Sequence, residues 1–453
     1  MTDDVRLRAE NLQTHYETTD GLLERLLGRG ETVRAVDGVD LELAAGETLG
    51  LVGESGCGKT TLAQTLVGLL EPTAGTVSYR GTDVTTLTGR EREAFRTSVQ
   101  YLFQNPDASL NPQLPVRALV AEPLEAHELV SAPRRDERIA ELLECVGLDA
   151  TYASRYPHEC SGGQRQRIAI ARALALEPEV LVCDEPVSAL DASEQARILN
   201  LLADLQDEFG LSILVVSHDL SVIEHVSDRI AVMYLGRIVE RGSPTDLFGS
   251  HGEGSREVHP YTEALLSALP EPDPCWVGER IVLEGEVPSP IDPPSGCRFH
   301  TRCPRIVPPD AFDLEADEFR PVMVLRARLE DAIDDSTDDG LAALGVAPAR
   351  DDATETGANA SAIREAVGVP TPLSDPDADA ILEDALERVA DGDLASARTQ
   401  LAEAFETPCE TSAPSFQSVS DTGGDSCGHV VACHRYDDPA ADGSGDDTFF
   451  GPR

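Results

Sequence analysis

The sequence predicts an α/β protein: a mainly parallel sheet covered on both faces, with a helical subdomain inserted into it. Three observations carry this. First, the short and continuously apolar runs 48–52, 180–183 and 213–216 alternate with amphipathic helical stretches, and strands that are apolar throughout belong in a sheet buried on both faces. Second, a glycine-rich turn, 53–60, joins the first of these runs to a helical stretch over 59–70. Third, residues 116–160 carry helical periodicity without strand-like runs, so a helical subdomain of about 105–160 interrupts the α/β region of residues 1–245.

Beyond residue 245 the composition changes. Residues 246–310 are rich in proline and glycine and read as an ordered but irregular extension. Residues 311–408 hold 24 Asp and Glu against 7 Arg, and stretches such as 380–389 have the narrow apolar stripe of an amphipathic helix. Between them, 334–339 and 351–359 read as loops or disorder. Residues 409–436 form a cysteine-containing closing segment, and 437–453, with two Asp-Asp pairs, reads as a disordered tail.

Bulk properties bound the function. The chain has 453 residues, 41% of them hydrophobic, enough for two or three folded units. No run reaches the roughly 18 apolar residues of a membrane span. The start, Met1-Thr2-Asp3-Asp4, has no apolar leader segment, so a cytosolic protein is expected, tied to a membrane only through a partner. The net charge of −46 argues against nucleic acid as a main ligand, because no basic footprint exists to neutralise its phosphates. Abundant Asp and Glu, few aromatics and a near absence of lysine suggest a haloarchaeon-like proteome adapted to high salt. Ten cysteines are many for a reducing compartment, where disulfides are improbable. Six of them follow residue 270.

Of the 36 basic residues, 35 are arginine and one, Lys59, is lysine. It stands where a compact ammonium is required and a planar guanidinium does not fit: Gly53-Glu54-Ser55-Gly56-Cys57-Gly58-Lys59-Thr60 is a full G-x-x-x-x-G-K-[ST] motif between a strand and a helix. Its glycines let backbone N–H groups turn inward around phosphates, and the helix N-terminus adds its dipole. Lys59 reaches the β- and γ-phosphates, and Thr60 offers a hydroxyl to Mg²⁺. In Val180-Leu181-Val182-Cys183-Asp184-Glu185, Asp184 at the end of a buried strand can hold Mg²⁺ through water, and Glu185 can act as general base on the attacking water.

With Ser161-Gly162-Gly163-Gln164 ahead of a helix and about twenty residues before Asp184, the chain resembles the ABC ATPases over residues 5–245. The resemblance implies a P-loop ABC ATPase domain with a small antiparallel β part beside the parallel core. It gives Gln104, in Phe103-Gln104-Asn105-Pro106, the place of a residue that touches Mg²⁺ or the attacking water. It makes Asp191 part of the loop Ser188-Ala189-Leu190-Asp191, and His218 the group that holds the γ-phosphate and the water against Glu185. Tyr16 takes the place of the aromatic that stacks on adenine. Ser161, Gly162, Gly163 and Gln164 supply donors to the site of an opposite subunit, so hydrolysis requires a dimer. The nucleotide-contacting set expected from the resemblance is Tyr16, residues 53–60, Thr61, 161–164 and Asp191, with ATP and Mg²⁺ as cofactors. Cys160 stands where the family most often has leucine.

The extension narrows the resemblance. His259-Pro260-Tyr261-Thr262, Glu284-Gly285-Glu286-Val287-Pro288-Ser289-Pro290 and Arg298-Phe299-His300-Thr301-Arg302-Cys303-Pro304 resemble the C-terminal region of oligopeptide and dipeptide importer ATPases, more their F-type than their D-type subunit. That implies a peripheral ATPase at the cytoplasmic face of the membrane. Its partners would be permease subunits, a second ABC ATPase and, through the permease, an extracellular substrate-binding protein. The alternatives are another cargo (a nickel chelate or a sugar), since such subunits do not touch cargo, and, behind it, a non-transport ABC ATPase. Members with four cysteines here carry an iron–sulfur cluster, which implies a [4Fe–4S] centre on Cys297, Cys303, Cys409 and Cys433. Cys427 competes for the third place, and zinc-bound or free thiols are the other reading.

Overall fold

A computed structural model describes residues 5–18, 31–127, 130–249, 257–269, 280–334, 360–419 and 428–437. The strands are, in chain order, β1 (Val5–Thr18), β2 (Glu31–Ala44), β3 (Thr48–Val52), β4 (Ala74–Tyr79), β5 (Thr82–Asp83), β6 (Val99–Leu102), β7 (Val180–Asp184), β8 (Ser212–Ser217), β9 (Arg229–Tyr234), β10 (Arg237–Gly242), β11 (Phe416–Ser418) and β12 (Val430–Ala432).

Among the described residues they form two sheets. The larger has the order β11-β12-β10-β9-β3-β8-β7-β6. Its members from β6 to β9 pair in parallel, and β10, β12 and β11 continue antiparallel. Every residue of β3, β7 and β8 is buried, as continuous apolar runs require when both faces are covered. The smaller sheet, β2-β1-β4-β5, is antiparallel and packs its own apolar face on the phosphate-loop side.

The helices Val116–Ala126 and Ala132–Cys145, with short turns at Ala150–Ser154 and Pro157–Glu159, fill the inserted subdomain. The helix after the glycine-rich turn covers Lys59–Leu66, shorter than the periodicity suggests, because Gly68 takes a left-handed conformation (φ 69°) just past its end. In the extension, Pro260–Ser267 is a helix started by Pro260, with His259 Nδ1 accepting from the Tyr261 N–H.

The acidic segment contains the helices Ala316–Asp334, Ala360–Val367, Pro376–Ala390 and Leu394–Ala404. Their buried residues Leu325, Leu329, Ile363, Leu382, Leu386 and Leu401, with Phe405 just past the last helix, belong to the same core as the main sheet. The closing segment returns to the main sheet: β12 pairs with β10 (Glu240 opposite Val431) and β11 pairs with β12. The loop readings at 335–339 and 351–359 and the tail from 438 on lie outside the described residues. No described helix is long and apolar enough to cross a membrane.

Candidate functional site

The glycine-rich turn is folded around its own lysine. Lys59 is buried, and its Nζ donates to the carbonyls of Gly53 (2.8 Å) and Glu54 (3.0 Å), with the Cys57 Sγ at 3.9 Å. Gly58 has φ 106°, and a Cβ there would lie 2.0 Å from the Ala35 carbonyl oxygen, so only glycine closes this turn against the strand beside it. Burial pushes the Cys57 thiol up, against the nearby Lys59.

Asp184 ends β7 and is buried. Thr60 Oγ1 donates to its Oδ1 (3.2 Å) and Tyr101 OH to its Oδ2 (2.8 Å). Burial raises its carboxyl above the usual range, partly offset by those two hydrogen bonds. A hydroxyl beside a buried carboxylate at a strand end is a fitting donor pair for Mg²⁺. Tyr101 was invisible to motif reading. Its place follows from the parallel pairing of β6 with β7, which sets Tyr101 beside Val182.

Glu185 sits one residue beyond the strand with φ 46°, a conformation that costs a non-glycine residue on the order of 1 kcal/mol. Its N–H is held by the Val216 carbonyl at 2.9 Å. Both carboxylate oxygens are engaged: Gln104 Nε2 donates to Oε2 (2.6 Å), and His218 Nδ1 lies 2.9 Å from Oε1. Three residues drawn from three separate loops therefore meet at one carboxylate.

Tyr16 is exposed, and its OH donates to Thr61 Oγ1 at 3.4 Å, beside the start of the helix that follows the phosphate loop. Ser161 and Gln164 form a capping box: Gln164 N–H donates to Ser161 Oγ (3.3 Å), and Ser161 N–H to Gln164 Oε1 (2.9 Å). A Cβ on Gly163 would lie 2.4 Å from Glu194 Oε2. Asp191 caps the helix Ala192–Phe209 by accepting from the N–H groups of Ser193 (3.0 Å) and Glu194 (3.1 Å). The structure joins Thr60 to Asp184 and, separately, gathers Gln104 and His218 on Glu185, while Lys59 bonds within its own loop. It gives the 161–164 and Asp191 groups local capping partners.

Glu54 belongs to the phosphate loop yet turns to the extension. Its N–H donates to Tyr261 OH (2.7 Å), and Arg302 donates to both of its carboxylate oxygens (2.8 and 3.3 Å). Sequence reasoning missed both contacts, because Tyr261 and Arg302 were read only as parts of segments that resemble the importer C-terminal region.

Cys297, Cys303, Cys409 and Cys433 are neighbours: the charges of Cys409 and Cys433 act on both the Cys297 and the Cys303 thiols. The Cys297 N–H donates to the Cys409 carbonyl at 2.9 Å. Burial, then the neighbouring Cys409 and Cys433, push the Cys297 thiol up to about 12. Burial, helped by Cys409, does the same for Cys433. A Cβ on Gly296 would lie 2.4 Å from the Cys409 carbonyl oxygen, so the two segments meet where only glycine fits. Among the described residues, no group of three or more His, Cys, Asp or Glu side chains is drawn tightly enough to hold a single metal ion. Cys427 lies outside the described residues.

Comparison with known proteins identifies the family. Residues 36–188 match the ABC transporter family, and 239–308 match the oligopeptide/dipeptide transporter C-terminal region. Residues 316–422 match a domain of unknown function. The oligopeptide transport ATP-binding protein AppF of Bacillus subtilis is 48% identical over 301 residues, 66% of this chain and 89% of that protein. A protein of Sinorhizobium fredii named as a probable peptide ABC transporter ATP-binding protein is 51% identical over 304 residues, 67% of this chain and 84% of its own length. The chain belongs to the ATP-binding proteins of the oligopeptide/dipeptide ABC transporter family.

Proposed function

We propose that this chain is the ATP-binding and ATP-hydrolysing subunit of an ABC importer that energises uptake of dipeptides or oligopeptides across the cell membrane. The observation that carries the hydrolytic half is the convergence of Gln104 and His218 on Glu185, next to the Thr60–Asp184 pair. Water attacks the γ-phosphorus in line. Its proton passes to the Glu185 carboxylate, and the bond to the bridging oxygen of the β-phosphate breaks. Lys59 balances the charge that grows on the β/γ-phosphate oxygens, and the amide of Gln104 and the ring of His218 orient Glu185 and the water. Thr60 and Asp184 would hold Mg²⁺, which when bound would supply further charge neutralisation. Tyr16 offers the adenine a face, and the 161–164 signature with Asp191 serves the site of a second ATPase subunit.

The cargo assignment rests on the extension and on relatives named for peptide transport. It carries the remaining partners with it: permease subunits that hold the ATPase at the cytoplasmic face, and a substrate-binding protein that delivers peptide to them. The surface charge fits a protein adapted to high salt. The family resemblance assigns the four cysteines to a [4Fe–4S] centre, a group that thiolates ligate. The burial of Cys303, Cys409 and Cys433 and the close approach of the Cys297 and Cys409 segments at Gly296 support a shared guest.

The decisive experiment replaces the base. Glu185→Gln should keep ATP affinity and lower turnover by roughly 10²–10³-fold. Retained turnover would refute the role given to Glu185. For the cysteines, protein purified without oxygen should contain iron and sulfide and absorb visible light, and Cys427→Ser should leave that absorbance unchanged.

A further inference from the structure

We infer that the C-terminal extension is part of the nucleotide-binding machinery, with Tyr261 and Arg302 as positioning residues that hold the phosphate loop through Glu54. The inference rests on the reading of 53–60 as the ATP site. Every polar group of Glu54 is occupied. Its carbonyl accepts from Lys59 Nζ (3.0 Å) and from the Cys57 N–H (3.3 Å). Its N–H and both carboxylate oxygens are taken by the extension. The residue is therefore clamped between the phosphate-binding lysine on one side and the extension on the other. Ser55, Gly56 and Cys57 follow it directly, so its orientation sets the direction in which the loop's N–H groups point.

The anchor is rigid. Tyr261 is fully buried, and Arg302 is 8% exposed. Tyr261, Tyr234 and Phe299 pack as a trio with ring centres 4.7, 5.1 and 5.3 Å apart. Arg298 donates to the Leu235 carbonyl at 2.5 Å and pairs with Asp37. That fixes the turn between β9 and β10, where the Gly236 N–H donates to the Cys57 carbonyl at 2.8 Å. The extension thus grips the phosphate loop at two points, directly at Glu54 and indirectly through Gly236. A bidentate Arg–carboxylate pair that is nearly buried fixes geometry in a way an exposed pair does not.

Arg302 precedes Cys303, and Arg298 follows Cys297. The two arginines that reach the loop therefore lie at the two ends of the segment between these cysteines.

The test uses the full chain in a Glu185→Gln background and measures MgATP binding by calorimetry. Arg302→Met should weaken affinity about 10-fold and Tyr261→Phe about 3-fold, and Arg302→Lys should recover part of the loss. With Glu185 restored, KM for ATP should rise by the same factors while kcat at saturation changes less than about twofold. In a double-mutant cycle, Arg302→Met should add little once Glu54→Gln is present. Unchanged affinity in Arg302→Met and Tyr261→Phe overturns the inference. Should Arg302→Met not fold, Glu54→Gln and Tyr261→Phe decide it by the same criterion. Lys59→Ala separates the two levels: if it leaves ATP binding intact, the nucleotide-site reading fails, whereas loss of binding there with none in the brace variants rejects the brace alone.

Discussion

Lys59 shows what a single position can reveal. Its Nζ fits between two carbonyls of its own loop at 2.8 and 3.0 Å, inside a turn that tolerates no Cβ at Gly58. A guanidinium is broader and plane-bound, so it cannot enter such a ring without opening it. Lys59→Arg should therefore lose about 10²-fold in turnover, although every other basic position of the chain already carries arginine. Near-normal ATPase activity in that variant would mean the lysine survived by chance. Tyr101 makes the opposite point. Nothing in its sequence context marks it, yet its hydroxyl donates to Asp184 at 2.8 Å. Tyr101→Phe should raise the Mg²⁺ concentration needed for half-maximal turnover about 3-fold while sparing ATP binding, because it frees a rotation of Asp184 and touches no phosphate contact. Motif spacing pointed to Lys59, Thr60, Asp184 and Glu185, and the family resemblance to Gln104 and His218; each sits at a strand end, a helix start or a loop fixed by the fold. Tyr101, Tyr261 and Arg302 were not legible, because their partners lie far away in sequence (83, 207 and 248 positions) and depend on which strands and loops become neighbours.

Among elements, the continuously apolar strands followed the sequence closely and the three-residue strands did not. The parallel strands β3, β7 and β8 are continuous apolar runs, and burial on both faces leaves them one way to fold. β11 and β12 have three residues each, too few for any alternation to register; they form because β10 offers an open edge. The acidic segment sits between the second and third cysteines, and its docking is specific. Arg326, in the helix Ala316–Asp334, donates to both Glu410 oxygens (3.0 and 2.9 Å) and to the Phe405 carbonyl (2.8 Å). Thr407 Oγ1 donates to the Val307 carbonyl at 2.5 Å. These contacts place Cys409 against Cys297. Arg326→Met leaves Glu410 without its partner at a nearly buried site, which should cost about 2 kcal/mol after allowance for the partial exposure of Glu410. Denaturant unfolding measures this directly. A loss below about 0.5 kcal/mol would show that the helices hold the closing segment by apolar packing alone.

At the scale of the whole molecule, charge is the dominant fact: −46 with 82 acidic residues against 36 basic ones. Such a surface repels itself, and screening relieves it. The Debye length falls from about 10 Å at 0.1 M salt to about 3 Å at 1 M, so Tm should rise by about 10 °C or more over that range of KCl. A flat profile would mean that the acidic residues are too dispersed to matter. The same field acts on the ligand. MgATP is an anion, and its docking groups, Lys59 and the loop N–H donors, act at hydrogen-bond range inside a molecule of large negative charge. In a basic nucleotide site, salt screens attraction and slows association. Here it screens repulsion, so the association rate of MgATP should increase with KCl between about 0.1 and 1 M while dissociation, governed by the short contacts, changes little. Stopped-flow binding to the Glu185→Gln protein reads both rates. An association rate that falls with salt would show that the local positive potential around Lys59 outweighs the field of the rest of the chain at the distance where encounter is decided.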